Sequence, residues 1–229
     1  AGKHNLLVVG PAGAGKTMLA RRMPTIMPGM DVAESIEISM IYSVSGLLTE
    51  KEPLVKIRPF RAPHHTVSVQ ALTGGGRRPK PGEISLATGG ILFLDELPEF
   101  SRAALETLRQ PLEDREVTVS RVEATVTYPA NFQLVAAMNP CPCGHFPDLA
   151  RCRCTEGQIT RYLQKISGPL LDRIDLCVEA SPVTYGDIRG GGENEASGAI
   201  RARVEQAREI QKERFMEENI RCNGEMAGR

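Results

Sequence analysis

Residues 10–17 read Gly10-Pro11-Ala12-Gly13-Ala14-Gly15-Lys16-Thr17, which is the pattern G-x-x-x-x-G-K-[ST] of a phosphate-binding loop. The three glycines let the backbone turn sharply enough for its N–H groups to point at phosphate oxygens. Lys16 supplies a positive charge for the β- and γ-phosphates, and the Thr17 hydroxyl is a ligand for Mg²⁺. The loop therefore predicts a nucleotide site, and a glycine-rich turn without a ligand is the alternative.

The residues on either side of this loop have the composition of a strand and a helix. Leu6-Leu7-Val8-Val9 is a short apolar run of the kind found in buried parallel strands. The residues from Thr17 to Met23 can form a helix that Pro24 ends. The phosphates would then lie at a helix N-terminus, which favours anions. The predicted nucleotide-binding residues run from Gly10 to Met18.

Length and composition indicate one α/β domain and narrow the classes of partner. The chain has 229 residues, and its 28 basic and 28 acidic residues give a formal net charge of zero. Any nucleic-acid site must therefore be a local patch. Aromatic residues make up 4% and tryptophan is absent, which leaves few platforms for base stacking. No apolar run approaches the roughly 20 residues of a membrane-spanning helix, so no membrane partner is expected.

The N-terminus and the cysteines indicate a piece of a longer, cytoplasmic protein. Ala1 lies close to the first predicted strand, which is abrupt for a natural start, so we expect a fragment. The lack of a targeting signal is then uninformative. Four of the six cysteines fall within residues 141–154, a spacing that suits a metal in a reducing compartment better than a disulfide framework.

A second apolar run ends in two carboxylates. Residues 89–96 read Gly-Gly-Ile-Leu-Phe-Leu-Asp-Glu, and a buried strand would carry Asp95 and Glu96 to its carboxyl end, beside the phosphate loop. Asp95 would then hold Mg²⁺, and Glu96 would polarise the attacking water as a general base. An acidic turn after a strand is the alternative, but the position of this run downstream of a phosphate loop favours a Walker B motif.

Two further polar residues are candidates for the same site. Asn139 follows the apolar run Gln133–Met138, and it would either contact the γ-phosphate and the lytic water or cap the turn before Pro140. Arg173 stands within Leu-Leu-Asp-Arg-Ile-Asp, where it would form either a local ion pair or an arginine finger for a neighbouring subunit's nucleotide. The residues alone leave both choices open.

Two C-x-C pairs predict a metal loop. Their cysteines are Cys141, Cys143, Cys152 and Cys154, and four thiolates at this spacing can form a tetrahedral site. We predict zinc, since thiolates suit it and no redox role is evident. His145 is a substitute candidate for one ligand. Two disulfides, four free thiols and an iron–sulfur cluster are the alternatives.

Two segments are candidates for contacts with DNA. Residues 116–128 alternate β-branched and polar side chains and predict a hairpin, with Arg121 at the tip as a phosphate contact. Residues 72–82 are rich in glycine and also basic. The cations of this second segment are Arg77, Arg78 and Lys80. A solvated surface loop is the alternative in both places.

The remaining segments predict a further helix and a C-terminal extension. Ser101 can begin a helix that runs to about Gln110. Residues 186–198 contain three successive glycines and predict a flexible linker. Residues 199–229 would then start a helical lid on a core formed by residues 1–185.

Taken together, these motifs resemble those of an AAA+ ATPase. More narrowly, the chain resembles the magnesium-chelatase-like ComM/YifB family over nearly all of residues 1–190. The phrases that carry this resemblance are Arg-Pro-Phe-Arg-Ala-Pro-His-His-Thr at 58–66, Pro-Gly-Glu-Ile-Ser-Leu-Ala at 81–87, Cys-Pro-Cys-Gly at 141–144 and Ile-Ser-Gly-Pro-Leu-Leu-Asp-Arg-Ile-Asp at 166–175. We therefore expect a three-layer α/β P-loop NTPase core with a parallel sheet, a β-hairpin insertion and a cysteine-rich metal loop.

The resemblance also implies roles for the motif residues. It implies Lys16 and Thr17 as phosphate-loop ligands, Asp95 and Glu96 as the Walker B pair, Asn139 as sensor 1 and Arg173 as the arginine finger. It further implies Mg²⁺-dependent ATP hydrolysis and a ring oligomer, taken as a hexamer. The resemblance to ComM proteins also implies a role as a DNA branch-migration helicase during natural transformation.

The chain departs from the family in two respects. Ala12 and Ala14 stand where many relatives have Pro and Thr, and both are small enough for the loop to tolerate. Relatives also have an amino-terminal domain and a lid with a sensor 2 arginine, neither of which is clear in this sequence. We expect this piece alone to bind nucleotide weakly and to hydrolyse it poorly. Two other functions stay open, the ATPase motor of a magnesium chelatase and a nucleotide-dependent scaffold that remodels a protein partner.

Overall fold

A computed structural model of the protein describes residues 1–77, 79–120, 124–183, 186, 189, 195–218 and 220–226. In chain order its strands are Leu6–Val9 (β1), Phe60–Arg61 (β2), Gly74–Gly75 (β3), Lys80–Pro81 (β4), Ile91–Leu94 (β5), Glu116–Ser120 (β6), Thr125–Pro129 (β7), Gln133–Met138 (β8) and Leu176–Glu179 (β9). Five of them form one parallel sheet in the order β2-β5-β8-β1-β9. The predicted parallel α/β core is therefore confirmed.

The register of the sheet brings three strand ends together. β8 lies between β1 and β5, and Ala136 of β8 pairs with Leu7 on one side and with Leu94 on the other. The carboxyl ends of these three strands therefore lie at the same edge. The segments that follow them begin at Gly10, Asp95 and Asn139, and they are the three that the sequence assigns to the nucleotide.

Helices of different lengths cover the sheet. In chain order the α-helices are Lys16–Ile26 (α1), Val32–Val44 (α2), Val69–Thr73 (α3), Glu83–Leu86 (α4), Arg102–Glu106 (α5), Arg109–Asp114 (α6), Glu156–Leu163 (α7), Gly168–Leu171 (α8) and Ser197–Arg214 (α9). Short 3-10 turns occupy Leu97–Glu99 and Asn223–Glu225. Among the residues that the structure describes, no helix is both long and apolar enough to cross a membrane.

The central strands bury side chains on both faces, as expected for a sheet between two helical layers. Leu92 and Leu134 belong to a large apolar cluster on one face. Phe93 and Val135 belong to a smaller cluster on the other face, together with Ala20 of α1. Because neighbouring residues of a strand alternate between faces, the two clusters divide β5 and β8 residue by residue. The arrangement is the predicted three-layer fold.

Two predicted helix ends were wrong in detail. Pro24 does not end α1, which continues to Ile26. A proline removes one backbone donor and disturbs the turn before it, and so close to the end of a helix few further hydrogen bonds are affected. The helix expected from Ser101 to Gln110 is instead the two short helices α5 and α6. Ser101 does begin the first of them, because its Oγ accepts a hydrogen bond from Ala104 N at 3.2 Å.

Two small hairpins stand outside the main sheet. β6 and β7 pair antiparallel and confirm the hairpin predicted before β8, although its tip with Arg121 lies outside the described residues. β3 and β4 form the other hairpin, in which Arg78 likewise lies outside them. The Tyr128 hydroxyl donates a hydrogen bond to the Pro79 carbonyl at 2.8 Å. This bond holds the two predicted DNA-contacting segments side by side.

The C-terminal helix packs against the start of the core. α9 begins at Ser197, two residues before the predicted start of the lid. The Ser197 Oγ lies 3.0 Å from Thr25 Oγ1 of α1. Arg201 also donates to the Thr25 carbonyl at 2.5 Å. Much of the predicted linker at 186–198 lies outside the described part of the chain. The division into core, linker and lid stays a prediction.

Candidate functional site

The phosphate loop connects β1 to α1 in the conformation that its glycines permit. Gly13 and Gly15 have φ angles of 81° and 76°, a region that side chains disfavour. Gly10 needs to be glycine for a different reason, since a Cβ there would lie 2.4 Å from the Ala180 carbonyl oxygen. α1 begins at Lys16, so the free N–H groups of its first turn point toward the loop. The loop is therefore shaped to hold an anion.

The Lys16 ammonium lies at the centre of this site. Its Nζ donates to the carbonyl oxygens of Gly10 at 2.6 Å and Pro11 at 2.8 Å, and to Asn139 Oδ1 at 3.0 Å. Burial lowers the pKa of Lys16, whereas the charges of Asp95 and Glu96 raise it. A bound phosphate would add negative charge next to the ammonium and favour its charged form.

A second contact joins the start of α1, at Thr17, to the end of β5, at Asp95. The Thr17 hydroxyl donates to Asp95 Oδ2 at 2.6 Å, and Asp95 Oδ1 accepts from the Glu96 backbone N–H at 3.0 Å. A hydroxyl and a carboxylate at hydrogen-bond distance are oxygen ligands of the kind that Mg²⁺ takes beside nucleotide phosphates. The cavity between them has a volume of about 430 Å³. It is lined by residues 12–18, Asp95, Glu96, Met138 and Asn139.

Glu96 extends into this cavity from a strained position. Its φ of 54° lies in the left-handed region, which non-glycine residues rarely adopt. One carboxylate oxygen, Oε2, lies 3.2 Å from His65 Nδ1, and the His65 ring packs on that of His64 with centroids 4.0 Å apart. Sequence analysis did not bring His65 to the site. No local pattern could have done so, since the contact joins the segment after β2 to the end of β5.

The Asn139 side chain lines the same cavity and accepts the hydrogen bond from Lys16 Nζ. Its role as sensor 1 stays a prediction. Burial raises the pKa of Tyr162 to about 12, and a hydrogen bond from the Asn139 backbone opposes that rise. Asn139 therefore contacts the phosphate loop with its side chain and α7 with its backbone.

Arg173 does not line the cavity of its own chain. Its Nη2 donates to Glu113 Oε2 at 2.7 Å, and this pair raises the pKa of Arg173 and lowers that of Glu113. Both side chains are exposed to solvent. Within one chain the arginine thus forms a local ion pair, and an arginine finger would have to exchange Glu113 for a neighbour's phosphate.

The four predicted metal ligands come together after β8. The Sγ atoms of Cys141, Cys143, Cys152 and Cys154 all lie within 4.8 Å of one another. Three of these separations are 3.4, 3.8 and 3.6 Å. Four tetrahedral bonds of about 2.3 Å place thiolate sulfurs about 3.8 Å apart, which is the geometry of structural zinc. The sulfurs stand too close together for the several atoms of an iron–sulfur cluster.

The pKa values of these thiols differ within the cluster. All six cysteines of the chain are free thiols. A backbone hydrogen bond from His145 lowers the pKa of Cys143 to about 6, so this thiol ionises readily. A hydrogen bond from the Cys154 backbone lowers the pKa of Cys152, but burial and the neighbouring thiols outweigh it and raise the value to about 12. The thiols of the cluster therefore differ in how readily they ionise, and a metal bound by all four would have to displace the proton of Cys152.

Comparison with known proteins identifies the family. The family model for magnesium chelatase, subunit ChlI, matches residues 1–188. Competence protein ComM of Haemophilus influenzae is 50% identical over 226 residues, which cover 97% of this chain and 44% of that protein. The chain belongs to the ComM/YifB family of magnesium-chelatase-like AAA+ ATPases. It is therefore an ATP-binding AAA+ protein of the ComM type.

Other relatives agree with this assignment. YifB of Escherichia coli K12 is 48% identical over 212 residues, which cover 92% of this chain and 42% of YifB. The magnesium-chelatase 38 kDa subunit of Chlorobaculum parvum is 26% identical over 157 residues, which cover 59% of this chain and 45% of that subunit. The chain spans less than half the length of these relatives.

Proposed function

We propose that this chain is the ATP-hydrolysing motor of a ComM-like DNA branch-migration helicase that acts in natural transformation. The observation that carries the proposal is the convergence of three strand ends on one cavity, through the Lys16–Asn139 and Thr17–Asp95 contacts. The likeness to Competence protein ComM supports the biological setting. A hexameric ring in the cytoplasm is part of the proposal, since AAA+ proteins usually act as rings.

In the proposed reaction, water attacks the γ-phosphate of ATP in line with the bond to ADP. Lys16 exchanges its carbonyl partners for phosphate oxygens. Glu96 accepts the proton of the attacking water, and Asn139 orients that water. Thr17 and Asp95 would hold Mg²⁺, which neutralises charge on the phosphates when it is bound.

Arg173 completes the proposed site from a neighbouring subunit. Its guanidinium leaves Glu113 and stabilises the charge that develops on the transferring phosphoryl group. An exposed ion pair is weak, so this exchange is readily made in an assembled ring. Hydrolysis then depends on assembly, which fits the expectation that the single chain is a poor ATPase.

The cysteine cluster is proposed to bind one structural Zn²⁺ ion. The sulfur separations fit tetrahedral thiolate bonds, and Cys141 is fully buried, as a structural ligand usually is. A closed set of four protein ligands leaves no position for substrate. We therefore assign the zinc to holding the loop and not to chemistry.

DNA is proposed to contact the two hairpins. Arg77 and Lys80 lie on or beside β3 and β4, and the Tyr128–Pro79 hydrogen bond places this hairpin next to the one that carries Arg121. Together with Arg78 these residues would concentrate positive charge on one side of a chain whose net charge is zero. Such a patch would contact the phosphate backbone and not particular bases.

The deciding experiment measures ATP hydrolysis by the full-length protein in Mg²⁺, alone and with single-stranded or branched DNA. We expect DNA to stimulate the rate and the protein to move a branch point in an ATP-dependent manner. Glu96→Gln should bind ATP without turnover, and Lys16→Ala should not bind it. Normal hydrolysis by Glu96→Gln would remove the Walker B assignment.

The same assay separates the proposal from two others. An ATPase rate that does not respond to DNA but rises with a porphyrin chelatase subunit would indicate a chelatase motor, which the likeness to a magnesium-chelatase subunit favours. A rate that rises only with a protein partner would indicate a remodelling scaffold. In either case Arg77, Arg78, Lys80 and Arg121 would be solvated surface residues.

A further inference from the structure

The cysteine cluster is joined to the nucleotide site by a very short piece of chain. Asn139 ends the segment that β8 carries into the cavity, and Cys141 follows it after a single proline. The Cys141 side chain is fully buried. The proline has a fixed φ angle, which stiffens the connection. Asn139 and Cys141 are therefore separated by a single residue of restricted conformation.

The loop also touches the nucleotide site a second time. Gly144 has a φ of 79°, and a Cβ built on it would lie 3.7 Å from both the Ala12 nitrogen and Asn139 Cγ. The space beside Gly144 is thus bordered by the phosphate loop and by the Asn139 side chain, and a side chain at this position would contact both. The Asn139 backbone also lies close enough to buried Tyr162 of α7 to lower the pKa of its hydroxyl.

The backbone hydrogen bonds of this loop do not connect it to the rest of the described chain. The described residues 141–154 form turns with no helix or strand, and their backbone hydrogen bonds stay within the loop. Residues 148–151 are exposed. Closing such a loop costs conformational entropy, which a metal bound at both of its ends offsets. The position of the loop therefore depends on whether the cluster is closed.

We propose that the metal-closed cysteine cluster positions Asn139 against Lys16, so that metal occupancy sets the rate of ATP hydrolysis. The inference rests on the proposed ATPase and its zinc ion. It makes the four cysteines positioning residues, since they act through Asn139 and do not touch the nucleotide.

The geometry predicts an effect on turnover and little effect on affinity. Lys16 keeps two backbone carbonyl partners that belong to the phosphate loop itself. The Thr17 hydroxyl donates to Asp95 Oδ2 at 2.6 Å, and this contact does not involve the cysteine loop. An open cluster therefore leaves the phosphate-binding groups in place, while Asn139 loses the support that orients it toward the water.

The test uses the full-length protein and compares Cys143→Ser with Cys177→Ser. Cys177 is an exposed cysteine on β9, outside the cluster, and provides the matched control. We expect Cys143→Ser to lose its zinc and to show kcat reduced about 10- to 100-fold, the size of effect that follows small misplacement of a reacting group. The Kd for Mg·ATP, measured in a Glu96→Gln background, should change less than about three-fold.

A double-mutant cycle distinguishes positioning from general damage. If the cluster acts through Asn139, adding Cys143→Ser to Asn139→Ala should lower kcat no further. Additive losses would overturn the inference, and so would a zinc-free Cys143→Ser protein with normal kcat. If Cys143→Ser does not fold, gradual zinc removal from wild type by a chelator replaces it. In that titration kcat should follow zinc occupancy while the Kd stays constant, and a rate independent of occupancy would overturn the inference.

These outcomes separate the inference from the function on which it rests. A wild-type protein without ATPase activity would contradict the proposed motor, and one without bound metal would contradict the proposed zinc site. The positioning role alone would be contradicted by a protein that hydrolyses ATP and binds zinc, but in which loss of the cluster either leaves kcat unchanged or lowers it independently of Asn139.

Discussion

The substitution Asn139→Asp tests whether the contact between Lys16 and Asn139 belongs to the nucleotide site. The two side chains are nearly identical in shape, so the change replaces an amide oxygen 3.0 Å from Lys16 Nζ by a charged one. Two unit charges at this distance attract by about 5.5 kcal/mol at an effective dielectric constant of 20, and by about 1.4 kcal/mol in water. Because Lys16 is only half-buried, we take about 2 to 3 kcal/mol for the attraction.

This attraction opposes nucleotide binding in two ways. Lys16 has to leave the carboxylate to reach the phosphates, and the carboxylate itself faces the position of the γ-phosphate. We therefore expect the Kd for Mg·ATP to rise about 30- to 150-fold. Asn139→Ala removes only a neutral hydrogen-bond partner, so its Kd should stay within about five-fold of wild type while kcat falls.

Titration calorimetry on the full-length protein in a Glu96→Gln background measures both affinities without turnover. The increase in Kd caused by Asn139→Asp should become smaller as salt is added, because salt screens the attraction between solvent-accessible charges. Equal affinities for the Asp and Ala variants at low salt would refute the reasoning, since the carboxylate introduced at position 139 would then have no effect on phosphate binding.

Three further predictions concern assembly, pH and packing. Arg173→Ala should abolish turnover, and mixing it with Glu96→Gln protein should restore part of the rate, because one subunit then supplies the glutamate and its neighbour the arginine; no rescue would argue against a finger in trans. Burial lowers the pKa of Lys3 from 10.5 to about 8, so above pH 8 the unfolded chain binds more protons than the folded one and stability rises with pH. Urea unfolding should show a gain of about 1.5 kcal/mol from pH 8 to 9.5 that Lys3→Met lacks, and equal pH profiles would contradict the shift. Gly90→Ala should lower the Tm, because its Cβ would lie 1.9 Å from the Pro59 carbonyl oxygen, whereas Gly198→Ala, with open space around it, should not; an unchanged Tm for Gly90→Ala would contradict the packing.

The nucleotide site could be predicted because its parts are encoded locally. Each strand that carries a functional group is a run of apolar residues followed at once by polar ones, as in Ile91–Leu94 before Asp95. Parallel pairing then places the ends of such strands at one edge, so the order of motifs along the chain is enough to assemble the cavity. The clustering of the four thiols could be predicted for a similar reason, since two C-x-C pairs close together in the chain are typical of a metal loop.

The features that the sequence did not reveal depend on contacts between distant segments. His65, in the segment after β2, lies close to Glu96. Tyr128 of one hairpin donates a hydrogen bond to Pro79 of the other, and these two residues are 49 positions apart in the sequence. Neither contact leaves a periodic pattern. The predicted end of α1 was wrong for a different reason. The packing of α1 on the sheet and on α9 outweighed the low helix propensity of Pro24.

The central position of β8 is the structural basis of the proposed coupling between the cysteine cluster and the nucleotide site. β8 is paired on both sides, so its backbone has no freedom to adjust independently of β1 and β5. Within four residues of its end it offers the Met138 carbonyl to Gly10 N at 3.2 Å, the Asn139 side chain to Lys16 and the first thiol of the cluster. A flexible linker between Asn139 and Cys141 would have separated a structural metal from the reaction. The proline that stands there instead restricts one backbone dihedral between the two sites, so that on the proposed coupling a shift of the cluster displaces the asparagine.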